Sequence, residues 1–223
     1  MNLELAFLIA LGFISLIYLI TLFFKPSVFQ YVLKGFLAPL ILAVYLTGAK
    51  IILLPIILAL VFAWIGDVLL IKISNLLCFR LGLASFLIGH ICYIIAMSGY
   101  NMPFNIPVLI ISAAVAAVLG FIIYKMVKPS KEMKIPVITY EVIILTMALS
   151  AIQLFLQQGT AASFPPEMSS TFGILVLAGS VSFVASDTSL AFVTFQKKPY
   201  YVFCMATYIA AQLLITLGFC QVV

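Results

Sequence analysis

The sequence predicts an all-α integral membrane protein, a bundle of eight transmembrane helices in a single domain over residues 1–223. The mean hydropathy is +1.34, and 66% of the residues are hydrophobic whereas 8% are charged. Apolar residues run continuously, as in IILLPIILALVFAWIGDVLL from residue 51, and do not alternate with polar ones as in a transmembrane β-barrel. Because lipid offers the backbone no hydrogen-bond partners, helices are the spanning structure that remains.

Eight apolar segments, bounded by Lys, Pro and polar clusters, account for the spans. They lie near residues 3–24, 34–49, 51–71, 76–98, 105–125, 135–157, 172–195 and 199–221, against roughly 20 residues for a bilayer-spanning helix. The first segment has no basic stretch before it and no clear small-residue cleavage site, so we expect a retained helix and not a signal peptide. The second is the shortest and contains Pro39.

The basic residues predict the topology. With eight spans, ten of the eleven Lys and Arg residues fall on one side and only Lys50 falls on the other. Since cytoplasmic loops carry such an excess, we expect both termini outside and the basic side in the cytoplasm. The short loops favour a bacterial inner membrane. The net charge of +5 is then explained by the membrane, and we expect no nucleic-acid partner.

The two halves of the chain place an aspartate at corresponding positions. Asp67 lies on the third predicted helix of the first four, and Asp187 on the third of the last four. This indicates a repeat of residues 1–100 and 101–223 about an axis along the membrane normal. Asp67 is five residues from Lys72 and Asp187 ten residues from Lys197, so tilt or an early end of the seventh helix would be needed to bring them level.

Asp67 and Asp187 are the only aspartates in the chain and the principal catalytic candidates. A charged side chain inside a bilayer costs about 2.5–3.5 kcal/mol, and such residues usually have a function. The structural alternative is that each merely joins helices through hydroxyl groups such as that of Ser186. Two neighbouring carboxyl groups can divide the roles of general acid and base. We expect the deeper Asp187 to be the acid and Asp67 the base.

Other polar side chains lie in the middle and the basic half of the spans, which predicts one cavity open to the cytoplasm. Spacing puts His90 with Tyr93, and Tyr208 with Gln212, on one helix face each. The structural alternative for these pairs is hydrogen bonding between helices. Lys34 is placed at the start of the second helix, where it either extends to the interface or meets a lipid phosphate.

The motifs of several enzyme classes are missing. With one histidine and four cysteines without ligand spacing, we expect no metal site, disulfide framework or other cofactor. The chain has no G-x-S-x-G elbow, Walker motif or dinucleotide fingerprint. If the protein is an enzyme, a metal-free carboxylate mechanism remains.

Five blocks of the sequence resemble, in order, the signature blocks of the YhhN-like lysoplasmalogenase family. They read FAWIGDVLL, CFRLGLASFLIGHICYI, TYEVIILTMALSA, SFVASDTSLAFVTF and TYIAAQLLI. Members of that family are eight-span membrane enzymes that hydrolyse the vinyl ether bond of lysoplasmalogens to a fatty aldehyde and glycerophosphoethanolamine or glycerophosphocholine.

The resemblance covers nearly the whole chain and implies a lysophospholipid substrate. It also implies a polar site, in which YVLKGFLAPL is the loosest matching block. The family's polar set maps onto Lys34, Asp67, His90, Tyr93, Tyr140, Ser186, Asp187, Tyr208 and Gln212.

Three other functions stay open at this point. Intramembrane Asp, His and Tyr residues also form the proton relays of transporters, so a proton-coupled transporter is the first. Two membrane aspartates also suit an intramembrane aspartyl protease. A purely structural membrane protein is the third, and the sequence leaves the oligomeric state open.

Overall fold

The computed structural model describes residues 3–100, 106–157 and 170–222, and these residues form helices without any strand. The helices are α1 (Leu3–Thr21), α2 (Val28–Gly48), α3 (Leu54–Leu69), α4 (Leu76–Ser98), α5 (Ile106–Val127), α6 (Lys134–Gln157), α7 (Ser170–Gln196) and α8 (Tyr201–Cys220). Within the described ranges, eight helical segments are long and apolar enough to cross a membrane. The predicted eight-span, all-α fold is confirmed, and the chain is a multi-pass integral membrane protein.

The predicted boundaries of α2 were wrong at its N-terminus. The helix begins at Val28, six residues before the predicted start, and Ser27 caps it by accepting a hydrogen bond from the Gln30 amide at 3.3 Å. The prediction treated the charge of Lys34 as the end of the apolar segment. In the structure Lys34 lies about 9 Å inside the helix, at 1.5 Å per residue, and only 4% of it is exposed.

Pro39 does not break α2, because a neighbouring helix replaces the hydrogen bond that it removes. A proline has no backbone N–H, so the carbonyl four residues earlier loses its helical donor. That carbonyl belongs to Gly35, and the indole Nε1 of Trp64 on α3 donates to it at 2.9 Å. The single tryptophan of the chain thus satisfies a backbone group that lipid would leave unpaired.

The helices pack in an order that is similar in the two halves. In the first half α2 lies against α1 and α3, and α3 against α4; in the second half α6 lies against α5 and α7, and α7 against α8. The halves join mainly through α2 with α8 and through α4 with α6. Adding four to each helix number converts the first set into the second. This is the packing expected of a repeat, and the repeat itself stays a prediction.

The peripheral helices depart from this pattern. Only 11% of the residues in the spanning part of α1 are buried, and the same holds for α5. These are the lowest values among the spans. α1 also contacts α8 of the other half, whereas α5 contacts α7 of its own half. The corresponding space between α5 and α4 holds a cavity that is described below.

Gly66 allows α3 and α4 to approach each other next to Asp67. A Cβ atom on Gly66 would lie 2.6 Å from Cε2 of Phe86 on α4. Small residues permit such close crossings of membrane helices. The Gly-Asp pair therefore places a carboxyl group directly beside the α3–α4 contact.

Candidate active site

Asp67 lies between three helices and is paired with a lysine. The Lys34 ammonium of α2 lies 3.5 Å from Oδ1, and the side chains are 5% and 2% exposed. On α8, the Tyr208 hydroxyl donates to Oδ2 at 2.6 Å. A buried charge requires such a partner, so we assign Asp67 as the ionised carboxylate of a buried ion pair.

A chain of hydrogen bonds extends from Asp67 across α8 to α4. The Tyr93 hydroxyl donates to Oε1 of Gln212 at 2.5 Å, and Nε2 of Gln212 is 3.4 Å from the Tyr208 hydroxyl. Tyr208 then donates to Asp67 at 2.6 Å. Every donor in this chain points toward the carboxylate, and such a series polarises its members in one direction. The chain therefore fixes Asp67 as an acceptor.

Asp187 forms the second cluster, on α4, α6 and α7. Its Oδ2 accepts a hydrogen bond from the Tyr140 hydroxyl at 2.6 Å and lies 3.3 Å from Nε2 of His90. Within the described part of the chain, Oδ1 has no hydrogen-bond partner. The Asp187 side chain is 15% exposed, against 2% for that of Asp67. One oxygen of Asp187 is thus held by the protein, and the other is available to a ligand.

The hydrogen-bond partners of His90 favour a ring hydrogen on Nε2. Its Nδ1 is buried and has no hydrogen-bond partner among the described residues, whereas Nε2 lies 2.9 Å from the Tyr140 hydroxyl. Since only Nε2 has an acceptor within reach, we place the ring hydrogen there, directed at Asp187. The Phe183 ring packs on the imidazole edge to face, at 4.9 Å between centroids.

One cavity connects the two clusters. It is lined by five of the polar residues predicted from the sequence, Lys34, Asp67, Ser186, Asp187 and Tyr208. Its volume for water-sized spheres is about 20 Å³, and one such sphere needs roughly 10–15 Å³. The cavity therefore has room for about one water molecule between the ion-paired Asp67 and Asp187, whose Oδ1 has no hydrogen-bond partner among the described residues.

Ser186 has a structural role in this arrangement. Its hydroxyl donates to the backbone carbonyl of Cys204 at 3.1 Å and thereby ties α7 to α8. It makes no hydrogen bond to either aspartate within the described residues. The sequence interpretation in which Ser186 holds a carboxyl group is wrong, since the hydroxyl is already directed at Cys204.

The structure divides the polar residues differently from the sequence pattern. Spacing correctly put His90 and Tyr93 on one face of α4, where both rings pack against Phe183. Their hydrogen bonds differ, since His90 contacts Asp187 while Tyr93 belongs to the chain that ends at Asp67. α7 ends at Gln196, one residue beyond the predicted end, so an early end of this helix does not bring the two aspartates level. The two aspartates nevertheless line one cavity.

Sequence analysis missed seven residues that line this cavity. These are Leu70, Ile73, Phe86, Leu190, Tyr201, Cys204 and Met205. Phe86 precedes His90 by four residues, so helical spacing puts it on the same face, and this signal could have found it. The others are apolar or aromatic side chains of a kind that is frequent throughout the chain.

The next feature is the distribution of the side chains that could bind a metal ion. Among the described residues no group of three or more His, Cys, Asp or Glu side chains comes together. The four cysteines are free, and three of them are buried.

The sequence model of the YhhN family matches residues 29–219. The chain belongs to the YhhN family. No curated protein and no solved structure matches the chain.

The matched span of this YhhN protein contains all nine residues of the predicted site, because it begins before Lys34 and ends after Gln212. Eight of the nine residues are less than one-tenth exposed. The ninth is Asp187, whose side chain is 15% exposed. The site is thus buried within the bundle and has its most accessible carboxyl group at Asp187.

Proposed function

We propose that this YhhN protein is a lysoplasmalogenase, which hydrolyses the vinyl ether bond of a lysophospholipid. The products are a fatty aldehyde and glycerophosphoethanolamine or glycerophosphocholine. Membership of the YhhN family is consistent with this activity. The observation that carries the proposal is that Asp67 and Asp187 line one cavity and have different partners.

Asp187 supplies the first proton. Its Oδ1 donates a proton to the vinyl carbon that is not bonded to oxygen, and the other vinyl carbon becomes an oxocarbenium ion. The carboxylate left behind is stabilised by the Tyr140 hydroxyl and by His90, both of which lie within hydrogen-bond distance of Oδ2. Stabilisation of charge that develops during the reaction lowers the barrier.

Asp67 acts on the water molecule. Water adds to the oxocarbenium carbon and gives its proton to Asp67, which forms a hemiacetal. In the collapse, the hemiacetal hydroxyl returns a proton to Asp187 and the glycerol oxygen takes the proton from Asp67. Both carboxyl groups regain their starting states, in a division of labour like that of paired carboxylates in glycoside hydrolysis.

The headgroup phosphate is assigned to basic residues at one end of the bundle. Lys125 and Lys128 each follow directly after a residue that lines a cavity containing Asp187. Arg80 does so too, and it is paired with the exposed Glu132 at 3.4 Å. We place this basic end at the cytoplasmic leaflet, in line with the positive-inside rule. Lys34 is already ion-paired with Asp67, so its contact with a phosphate stays a prediction.

The decisive experiment follows the fate of a proton from solvent. Purified protein in detergent is incubated in D2O with a vinyl ether lysolipid, and the saturated alkyl ether analogue is the control substrate. Mass spectrometry is expected to detect an aldehyde with one deuterium at carbon 2, and no product from the alkyl ether. An aldehyde without deuterium at that carbon would contradict the protonation step, and no aldehyde at all would refute the function.

A further inference from the structure

Asp187 also lines a second cavity, which Asp67 does not line. This cavity lies between α4, α5, α6 and α7, has a volume of about 60 Å³ and shares Asp187 and Leu190 with the polar cavity. Apart from Tyr140, Glu141, Asp187 and Thr188, its lining consists of apolar and aromatic side chains such as Leu83, Ile144 and Val184. Asp187 is therefore the junction between a polar cavity and an apolar one.

The apolar cavity continues into a groove between α5 and α6. The two share Tyr124, Glu141 and Leu145, and the groove has a volume of about 380 Å³. Small residues of α5 form its floor, namely Ala113, Ala116, Ala117 and Gly120. From Tyr124 to Ala113 the groove follows eleven residues of α5, which is about 16 Å at 1.5 Å per residue.

The asymmetry of the bundle accounts for this path. In the other half, α1 contacts α8, whereas residues of α4 and α5 line the apolar cavity. The space leads from the junction at Asp187 to α5, which is 11% buried and shares with α1 the lowest burial among the spans.

We propose that the apolar cavity and the α5–α6 groove bind the hydrocarbon chain of the substrate. The inference rests on the proposed function for the identity of the lipid. The reacting bond lies at Asp187, the headgroup lies at the basic end of the cavity, and the chain follows α5 toward Ala113. The continuity of the two spaces with the Asp187 cluster selects a chain that is attached to the reacting group.

Glu141 is the polar exception at the junction of cavity and groove. Its Oε1 is buried without a hydrogen-bond partner among the described residues. A chain that passes this point would gain apolar contact if the residue were leucine. A cationic headgroup amine at the same point would instead lose its counter-ion. Glu141→Leu therefore distinguishes the two parts of a lysolipid as occupants.

The test uses binding, so that it does not depend on turnover. The probe is a saturated alkyl ether lysophosphoethanolamine with a photoreactive diazirine at the end of its chain. After irradiation, mass spectrometry of the digested protein is expected to find the label on groove residues of α5 or α6. A label mainly on α1, α2 or α8 would overturn the inference.

Two alanine-to-tryptophan substitutions on α5 provide a matched comparison of groove labelling. Ala117 and Ala114 are both exposed on α5, but only Ala117 lines the groove. Ala117→Trp is expected to reduce groove labelling at least several-fold, and Ala114→Trp is expected to label like the wild type. Equal labelling of both variants would overturn the inference.

Two further outcomes separate this inference from the proposed function. Glu141→Leu is expected to increase groove labelling by the chain-end diazirine, and a loss of groove labelling in this variant would overturn the inference. Groove labelling by a wild-type protein that releases no aldehyde would refute the lysoplasmalogenase assignment while supporting a chain site. Aldehyde release with the label elsewhere would do the reverse.

Discussion

Asp67 and Asp187 line the same cavity, but only Asp67 is paired with a lysine, whose ammonium lies 3.5 Å from Oδ1. Asp187 has the Tyr140 hydroxyl at 2.6 Å from Oδ2, and its second oxygen has no partner within the described residues. Because their partners differ, Asp67 is suited to be ionised and Asp187 to be protonated. The same difference predicts that their variants fail in different ways.

Replacement of either aspartate by asparagine is expected to remove turnover, while only one replacement strongly lowers stability. Loss of a general acid or base costs about 10²- to 10⁴-fold in rate. Asp67→Asn also leaves the Lys34 charge buried without a partner, which costs about 3–5 kcal/mol, whereas Asp187→Asn leaves no such charge. Thermal unfolding in detergent and aldehyde release measure the two effects.

The double variant Lys34→Met with Asp67→Asn serves as the control for this explanation. It removes the unpaired charge and is expected to recover most of the melting temperature without recovering turnover. If the double variant melts as early as Asp67→Asn alone, the ion pair is not the source of the instability.

Tyr140→Phe is expected to slow the reaction more than the chemically identical change Tyr93→Phe. The Tyr140 hydroxyl contacts Asp187 directly, whereas the Tyr93 hydroxyl is separated from Asp67 by Gln212 and Tyr208. A hydrogen bond to a charged group contributes about 1.5–3 kcal/mol, and each 1.36 kcal/mol is tenfold in rate, so kcat is expected to fall by about 10- to 100-fold.

For Tyr93→Phe we expect a loss of about 1 kcal/mol in stability and a fall in kcat of less than about tenfold. Steady-state kinetics and thermal unfolding of both variants give the comparison. Equal losses of kcat would contradict the assignment of Asp187 as the proton donor to carbon.

Trp64→Phe is expected to destabilise the fold through the backbone of α2. The change removes the indole donor at 2.9 Å from the Gly35 carbonyl, which Pro39 has deprived of its helical partner. The expected loss is about 1 kcal/mol. Adding Pro39→Ala returns a backbone N–H to the helix and is expected to restore stability to Trp64→Phe. Thermal unfolding of the four combinations measures the coupling, and additive effects would show that the two residues act separately.

The helices were predicted better than the relations between them. The predicted bounds of the fourth helix, 76–98, agree with those in the structure, Leu76–Ser98. There Asn75 caps the helix by accepting from the Leu77 and Cys78 amides at 2.9 and 3.1 Å. The start of α2 was missed because a charge was taken as a boundary. A buried lysine with a carboxylate partner does not end a helix, and that partner is on α3.

Of the candidate site, the sequence indicated the members but not their partners. Helical spacing correctly put Tyr208 and Gln212 on one face, where their side chains are 3.4 Å apart. Spacing could not assign His90 and Tyr93 to different aspartates, because that depends on how α4 is rotated between α6 and α8. The catalytic roles of these residues stay predictions until the variants are measured.

The sequence by itself determined the eight spans and the scarcity of polar residues inside them, because the bilayer fixes the length and composition of a spanning helix. The tertiary structure alone decided that Lys34 pairs with Asp67. It also decided that Asp187, at the junction of two cavities, has an oxygen without a hydrogen-bond partner among the described residues. Helical period sets the face on which a side chain lies. The tilt and rotation of each helix, set by packing against its neighbours, decide which faces meet.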